Sequence, residues 1–586
     1  MSKIHHKNRI FLALFFTLLS KNIFAGAPTD AGKVLRDTEI PAPAAPAANP
    51  DIINAPPVPK QTLPNQDVPR QDVPSQDVKV PTTAFAFTGN SVFTSEQLQA
   101  VTAAWSGKQL NFGELTQATD AIEAYYHQAG YFLAQATLPP QQIRNGIINI
   151  VISEGVLGKT RLEGESRIAP DVLYGFLDHS PKGKALTRPQ LERTALLISD
   201  LSGGRSTLDL QAGSEIGTTD IVLLQREESL FSGRAELDNH GLPTTGEYRL
   251  SLIGNVSSPL HRGDFLSGNL IATNTGDLYA YGIRYDTPIG SDGLHVNFSN
   301  TLARYSLGDD FANLDARGKA LSWRAGASYP VVRSLAKNIW LKLEADYSKL
   351  NNEIGVANLD LDSTVKGISF NPSADWVDNF GGGGSNYVDF ALRAGHLNLD
   401  AQGRALDAPP FGLNTEGSFT KTNIRLQRIQ TITSNVLLQL QWQQQFASKN
   451  LDSSEQLSVG GSGNLVGYPN SQANFDEGGM GKAHVYWQAL GNLRLGVFGE
   501  YANVKFANNP LAGTDNKHQY SDAGLSADWR INKEFGIAST LAWATGERAI
   551  KSDDDKPRLW VKLGYTFGDS KSKLVNKNEI QATEVK

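Results

Sequence analysis

Very few residues in this 586-residue chain stand at spacings that could do covalent or metal chemistry. There is no cysteine, which removes disulfides and thiolate ligands together. The 10 histidines are scattered. Beyond His5 and His6 no two lie three or four residues apart, the spacing that aims two imidazoles at one ion from a helix. Neither His-Glu-x-x-His nor Gly-x-Ser-x-Gly occurs. Gly478-Gly479-Met480-Gly481-Lys482 has the texture of a phosphate loop but lacks its spacing and the hydroxyl residue after the lysine. Gly381 to Gly384 reads as a plain loop, and Asp553-Asp554-Asp555 as a solvated acidic turn rather than a cation site. The expectation is a protein that is not an enzyme, with no cofactor, no metal site and no nucleic-acid partner. Binding and passage remain.

The first 25 residues read as a secretory signal, with Lys3, Lys7 and Arg9 before an apolar run from Ile10 to Leu19 and small residues at Ala25, Gly26 and Ala27. That run is too short to span a bilayer as a helix, and no uninterrupted apolar stretch of helix-spanning length follows. The chain carries 55 Gly, 17 Tyr, 25 Phe and 9 Trp at a formal charge of -6, a composition rich in strand aromatics and too long for one core.

Residues 26–40 contain a short helix, capped by Thr29 or Asp30 and carrying Ala31, Gly32, Val34 and Leu35. Alone it would be marginal, so it needs a docking place. Residues 41–81 are dominated by Pro, Ala, Gln and Asp, with Gln-Asp-Val recurring at 66, 71 and 76, and read as an extended tether.

Residues 82–156 alternate from Phe85 to Asn90 and then offer Thr94 and Gln97 as a capping box. A second helix over 113–128 places Leu115, Ala118, Ile122 and Tyr125 inward and stops at Gly130. Strands at 132–138 and 147–152 complete a β-α-α-β-β unit. The same order recurs over 157–227, so two small α/β domains are expected, each with a sheet edge open to strand addition.

From about Phe231 the texture changes to alternating segments bounded by Gly, Asn, Asp or Pro. Lipid offers backbone groups no hydrogen bonds, so an exported membrane protein without apolar helices must close a sheet on itself. In the last segment Leu559, Val561, Leu563, Tyr565 and Phe567 face one side, while Trp560, Lys562, Gly564 and Thr566 face the other. Tyr279, Tyr281, Ile283 and Tyr285 behave alike, as do Leu493, Leu495 and Val497. At about 20 residues per strand and connection, 228–567 holds roughly 16 antiparallel transmembrane strands. Residues 568–586 form a polar tail.

The ordered set of motifs resembles one family, the transporters of two-partner secretion within the outer-membrane insertase superfamily. Gly130, Tyr131, Leu138-Pro139-Pro140-Gln141, Ile143, Gly146 and Glu154-Gly155 resemble its signature for a first POTRA domain. The stretch from Thr29 to Asp37 resembles its plug helix. Asp238-Asn239-x-Gly241, Gly246, Tyr285-x-x-Pro288, Gly382-Gly383-Gly384-Ser385 and Leu451-x-x-x-Glu455-Gln456-x-Ser458-x-Gly460-Gly461 follow its barrel pattern, and Tyr565 with Phe567 resembles its terminal signal. The resemblance implies two POTRA domains before a 16-stranded barrel, exporting an exoprotein with an N-terminal secretion domain, of the adhesin or cytolysin class, without nucleotide. Outer-membrane lipid, and the barrel-assembly machinery during biogenesis, are the other implied partners. A barrel-assembly insertase and a passive porin are the alternatives; a Pro-rich tether carrying a plug and only two POTRA domains favour export.

The chain departs from the family at the lumen loop. The family's tip carries an arginine before Gly-Tyr and pairs it with an acid on a neighbouring strand. Here the tip reads Leu465-Val466-Gly467-Tyr468-Pro469, with Gln472 for the family's Glu and Phe475-Asp476 for its Gly-Asp. The acid's counterpart is Glu500, lumen-facing by alternation with Leu495 and Val497. It is expected to lack its guanidinium partner, since Arg494 is six residues off along the same strand and too distant. A less firmly anchored loop follows as the expectation, to be tested by Val466→Arg with secretion and loop proteolysis as readouts.

Overall fold

The computed structural model describes residues 29–38, 78–179, 183–215, 217–470, 472–548 and 556–568, together with the backbone of 53–54. The secretory signal, the rest of the Pro-rich stretch, the Asp553 run and the polar tail lie outside the described residues.

Sixteen antiparallel strands close into one barrel, from Phe231–Asp238 to Arg558–Phe567. Every neighbour in the ring is next in sequence except where the small hairpin Leu457–Val459 and Ala473–Phe475 is set aside from the wall. Closure comes from pairing of the first strand with the last, from Gly233 opposite Phe567 to Asp238 opposite Lys562. With both edges consumed, no backbone row is left facing hydrocarbon. No helix among the described residues is long and apolar enough to cross a membrane.

Side chains alternate between lipid and lumen as the pleat requires. Leu559, Leu563 and Phe567 are exposed on the outside, whereas Trp560 between them is buried inside. Tyr279, Tyr281 and Ile283 are exposed, as are Leu343, Tyr347, Ile368, Val497 and Leu525. Trp487, Trp529, Phe535 and Phe567 gather at strand ends on the side of the N-terminal domains, where an aromatic girdle meets the interface. Strand lengths are uneven. The wall rises to 18 and 20 residues at Lys337–Ile354 and Leu359–Asp378, well beyond the roughly 10 a tilted span needs, but falls to 8 at the closing strand Phe231–Asp238.

Before the barrel stand two α/β units. In the first, the strand Ala84–Thr88 pairs parallel with Ile147–Ser153, which also takes Gln135–Thr137. Helix Ser95–Thr102 starts with the full Thr94/Gln97 capping box, and helix Phe112–Gln128 with a second box from Asn111 and Glu114 that the sequence reading missed. The inward ring near its end is Tyr126, fully buried, with Tyr125 only packed against that core; the two stand i+3 and i+4 from the buried Ile122, and the later one falls nearer the centre of the face. A further strand, Val80–Thr82, pairs with Lys108–Leu110 and straddles the boundary drawn at residue 82.

The second unit has the sheet order Ile53–Asn54, Gly204–Ala212, Thr218–Glu227, Val156–Gly164, covered by helices Pro170–Leu177 and Arg188–Asp200. The Pro-rich stretch therefore contributes a two-residue parallel strand, with Ile53 opposite Leu208, and is not tether throughout.

The second unit is fixed against the barrel's inner-side turns. Ala169 N–H donates to the His261 carbonyl at 2.8 Å and Ser202 N–H to that of Gly263 at 3.0 Å. Asp200 and Arg333 form a buried bidentate pair at 2.8 and 2.9 Å, with Arg333 also donating to Asn338. Such a pair holds orientation, because removing either partner strands a charge away from water.

Because alternation decides which side chains meet lipid, Leu343→Arg is expected to cost about 2–4 kcal/mol of barrel stability. Urea titration of the heat-modifiable folded band in vesicles measures it, with a lumen-side substitution at the neighbouring Lys342 as the comparison.

Candidate functional site

Among the described residues, two pieces of chain lie within the lumen. One is the connection between strands Val436–Ala447 and Glu477–Leu490, which turns inward and carries the small hairpin. The other is helix Ala31–Thr38.

The loop's tip is seated on the wall formed by the strands that follow it. Leu465 and Tyr468 are fully buried with Val459, Ala473 and Phe475 against Met480, Ala502, Val504, Phe506 and Tyr520. The Tyr468 hydroxyl donates to the carbonyls of Ser521 and Glu547 at 3.1 and 2.9 Å. Gly467 lies so close to the wall that a Cβ there would stand 2.7 Å from that of Asp522, so the tip needs glycine at that position. Its amide donates to Asp522 at 2.7 Å, and the amide of Val466 to Glu500 at 2.9 Å. Trp560 closes the arrangement by donating from Nε1 to the Val466 carbonyl at 2.7 Å. Pro469 follows, and its carbonyl leaves no room for a side chain at Gly460.

Among the described residues Glu500 has no arginine partner, but strand register brings other groups to it. Lys482 sits directly opposite Glu500 and brings its ammonium to 3.5 Å, while His484 Nε2 approaches to 3.4 Å. Lys482 also donates to the Gly463 carbonyl of the loop. One backbone amide, Lys482 and His484 thus serve Glu500 where the family has an arginine, and with Gly467 held by Asp522 the tip is tied at several points rather than loosened. Arg494 does turn elsewhere, to Asp528 at 2.7 Å. The apparent phosphate loop at 478–482 is wall strand.

The loop's base has its own anchors. Asp476 accepts from the Leu451 amide, Gln456 and the Asn508 amide. Glu455 is held by Arg393 at 2.8 Å and Lys421 at 2.7 Å, and Arg393 reaches on to Asp346 across the wall. Gln472, where the family has Glu, is wholly buried.

Helix Ala31–Thr38 is capped by Asp30, which accepts from the Lys33 amide at 2.9 Å. Ala31, Val34 and Leu35 are buried in one cluster with Leu278, Ala303, Leu350, Leu397 and Phe419 of the lumen wall. Gly32 abuts the loop, where a Cβ would stand 2.6 Å from Ser453 Oγ.

In the first periplasmic unit the signature residues hold the fold. Gly130 stops the helix at φ +93°, and Gly146 and Gly155 also take positive φ. Tyr131 packs edge-on against Phe93 and Tyr126. Gln141 clamps Asn149 through both its amide and carbonyl, at 2.7 and 2.8 Å, below the half-buried Leu138 and the turn at Pro139 and Pro140. Glu154 is buried and accepts from the Ser91 and Val92 amides, the Ser91 hydroxyl and Tyr126. Burial alone would raise its pKa, but these donors outweigh it and hold the carboxyl below its ordinary value. At the other end of the chain Tyr565 and Phe567 sit on the lipid side, Phe567 over Gly233 at the closing seam.

A closed 16-stranded barrel with an inward loop, preceded by POTRA-type α/β units, defines an outer-membrane protein transporter with its POTRA domains in the periplasm. Residues 217–503 match the haemolysin secretion/activation protein ShlB/FhaC/HecB family, and residues 80–155 the ShlB-type POTRA domain. The heme/hemopexin transporter protein HuxB of Haemophilus influenzae strain 86-028NP is 24% identical, covering 82% of this chain and 85% of its own. The outer membrane transporter CdiB of Escherichia coli is 23% identical over 79% of this chain and 76% of its own. A solved structure of CdiB from Escherichia coli shares the fold, with a TM-score of 0.68 at 18% identity over 86% of this chain and 93% of that one. The chain belongs to the ShlB/FhaC/HecB family of two-partner secretion transporters, which export a partner exoprotein across the outer membrane.

Two expectations follow. Lys482→Ala loosens the loop tip more than Val466→Arg tightens it, read as the rate of limited proteolysis within 461–470 of the folded barrel; unchanged protection in the lysine variant would contradict this. Glu154→Gln costs about 1–3 kcal/mol of stability at neutral pH. Because the folded pKa is depressed, that contribution is present above the ordinary glutamate value of about 4.3 and is lost as pH falls through the folded value. Urea unfolding at both ends of this window checks it, with the gap between variant and parent closing in acid.

Proposed function

We propose that the exoprotein is captured in the periplasm by strand addition to the POTRA sheets and then threads, unfolded, through the lumen after helix Ala31–Thr38 has left it. Capture has a physical basis in the strand Ala84–Thr88, which among the described residues pairs on one side only, with Ile147–Ser153. An extended segment of exoprotein can supply the missing backbone partners, and alternate side chains give selectivity. The observation that carries the passage reading is that the bore is filled by chain segments, a helix and a loop, and not by a packed core of wall side chains. Segments can move aside.

Residues 26–40 then act as a plug and 41–81 chiefly as its tether, with domains at 82–156, 157–227 and 228–567. Leu465 to Pro469 are the loop tip, and Glu500 is its lumen acid. No nucleotide, metal, nucleic acid or catalytic step enters. Folding of the cargo outside supplies direction, because a folded β-rich exoprotein cannot slip back. The cargo is an adhesin- or cytolysin-class exoprotein with an N-terminal secretion domain; the relatives include a hemolysin transporter, HpmB of Proteus mirabilis. Lipid meets the exposed face of the wall, and the barrel-assembly machinery reads the terminal strand with Tyr565 and Phe567.

Deleting residues 82–226 tests the reading. The expected result is one large exoprotein stalled in the periplasm while other outer-membrane barrels assemble normally and the truncated barrel keeps its heat-modifiable fold. General failure of barrel assembly would instead favour an insertase.

A further inference from the structure

Helix Ala31–Thr38 divides its contacts by chemistry. Its apolar residues Ala31, Val34 and Leu35 meet the wall, but the larger share of its side-chain hydrogen bonds, those of Arg36 and Asp30, goes to the loop. Arg36 donates from one nitrogen to the carbonyls of Ser453 and Gln456, both at 2.7 Å. From the other it donates to Ser458 Oγ at 2.7 Å and Asn474 Oδ1 at 3.2 Å. Its Nε lies 3.4 Å from Asp37. Asp30, at the other end of the helix, accepts from Ser453 Oγ at 2.7 Å. Polar ties to the wall are the Ala31 amide to Asn352 at 2.8 Å and Asn269 to the Thr38 carbonyl at 3.5 Å.

The four acceptors of Arg36 are not one strand's. Ser458 and Asn474 face each other across the small hairpin and are bonded at 2.8 Å, whereas Ser453 and Gln456 belong to the stem that Glu455 pins to Arg393 and Lys421. A guanidinium has a rigid planar fork, so it satisfies all four only while stem and hairpin keep this arrangement. Charge-assisted bonds of this kind are stronger than neutral ones.

We propose that Arg36 latches the helix to the lumen loop, so that the loop's position sets whether the helix stays in the barrel. The proposal rests on the reading above that the helix obstructs passage. Arg36 acts as a positioning residue. Displacing the loop disperses its acceptors and leaves the helix held by its apolar face and its remaining polar ties to the wall. Loop release and helix exit then become one event, by linkage: whatever favours the displaced loop favours the departed helix equally.

The absence of cysteine makes the full chain convenient for the test. Conductance across planar bilayers is measured for the parent, Arg36→Ala, Arg36→Lys, Glu500→Ala, the double variant Arg36→Ala with Glu500→Ala, and a deletion of 29–38, each checked for heat-modifiable folding. Arg36→Ala is expected to raise the open fraction by about tenfold or more, as losing a charged hydrogen-bond set would. Arg36→Lys restores only part of the closure. Glu500→Ala opens the parent channel but adds much less when Arg36 is already gone. Removing the two side-chain acceptors instead, with Ser458→Ala and Asn474→Ala, reproduces part of the arginine loss and guards against a folding artefact. If the deletion opens the channel while Arg36→Ala does not, or if the double variant is simply additive, the latch is overturned and the obstructing helix stands. If the deletion itself leaves conductance unchanged, the obstruction reading falls, and the latch with it.

Discussion

The whole molecule depends on the pairing of strand Phe231–Asp238 with strand Arg558–Phe567. Backbone groups have no partner in hydrocarbon, so a sheet in a membrane is stable only when its two edges meet. Once closed, sixteen strands enclose a space too wide for wall side chains to fill, and something else must occupy it. In this chain the occupants are a loop and a helix. Their tethering differs in kind: the loop tip is held by backbone amides, Tyr468, Trp560 and Lys482, while the helix combines an apolar face against the wall with side-chain bonds from Arg36 and Asp30 to the loop. A plug built from movable segments is compatible with opening in a way that a packed core is not.

The second consequence is mechanical continuity. The membrane-proximal periplasmic unit is bonded to the barrel's turns through Asp200–Arg333 and the His261–Gly263 turn. The Pro-rich stretch, which follows the lumen helix in sequence, touches the same unit's sheet at Ile53–Asn54. Events at the periplasmic domains therefore have covalent and non-covalent routes to the bore.

Much of the architecture could be read from residue patterns. Alternation in the last strand separates Leu559 and Leu563 from Trp560, and segment length alone gives about sixteen strands. Thr94 and Gln97 advertise a helix start, and so do Asn111 and Glu114, although Gly113 masks the second start by weakening the helical pattern there. From the buried Ile122 both i+3 and i+4 lie on the inward face, so periodicity alone does not choose between Tyr125 and Tyr126. Harder to see were features that depend on partners distant in sequence. Val80–Thr82 and Ile53–Asn54 lie in proline-rich chain that has no strand signal of its own and are strands only because another edge receives them. Lys482 and His484 serve Glu500 through register, which alternation does not fix: it says that both face the lumen, but not which residue stands opposite which. Arg36 on the helix and its acceptors on the loop are more than four hundred residues apart.

The central claim is that the exoprotein passes through the bore and not along the lipid-facing wall. A photoreactive amino acid placed at Ser348, buried on the lumen side, or at Leu343, exposed on the lipid side of the same strand, distinguishes the two during stalled export. Crosslinks to the exoprotein from 348 and none from 343 are the predicted result; crosslinks from 343 alone would contradict the account.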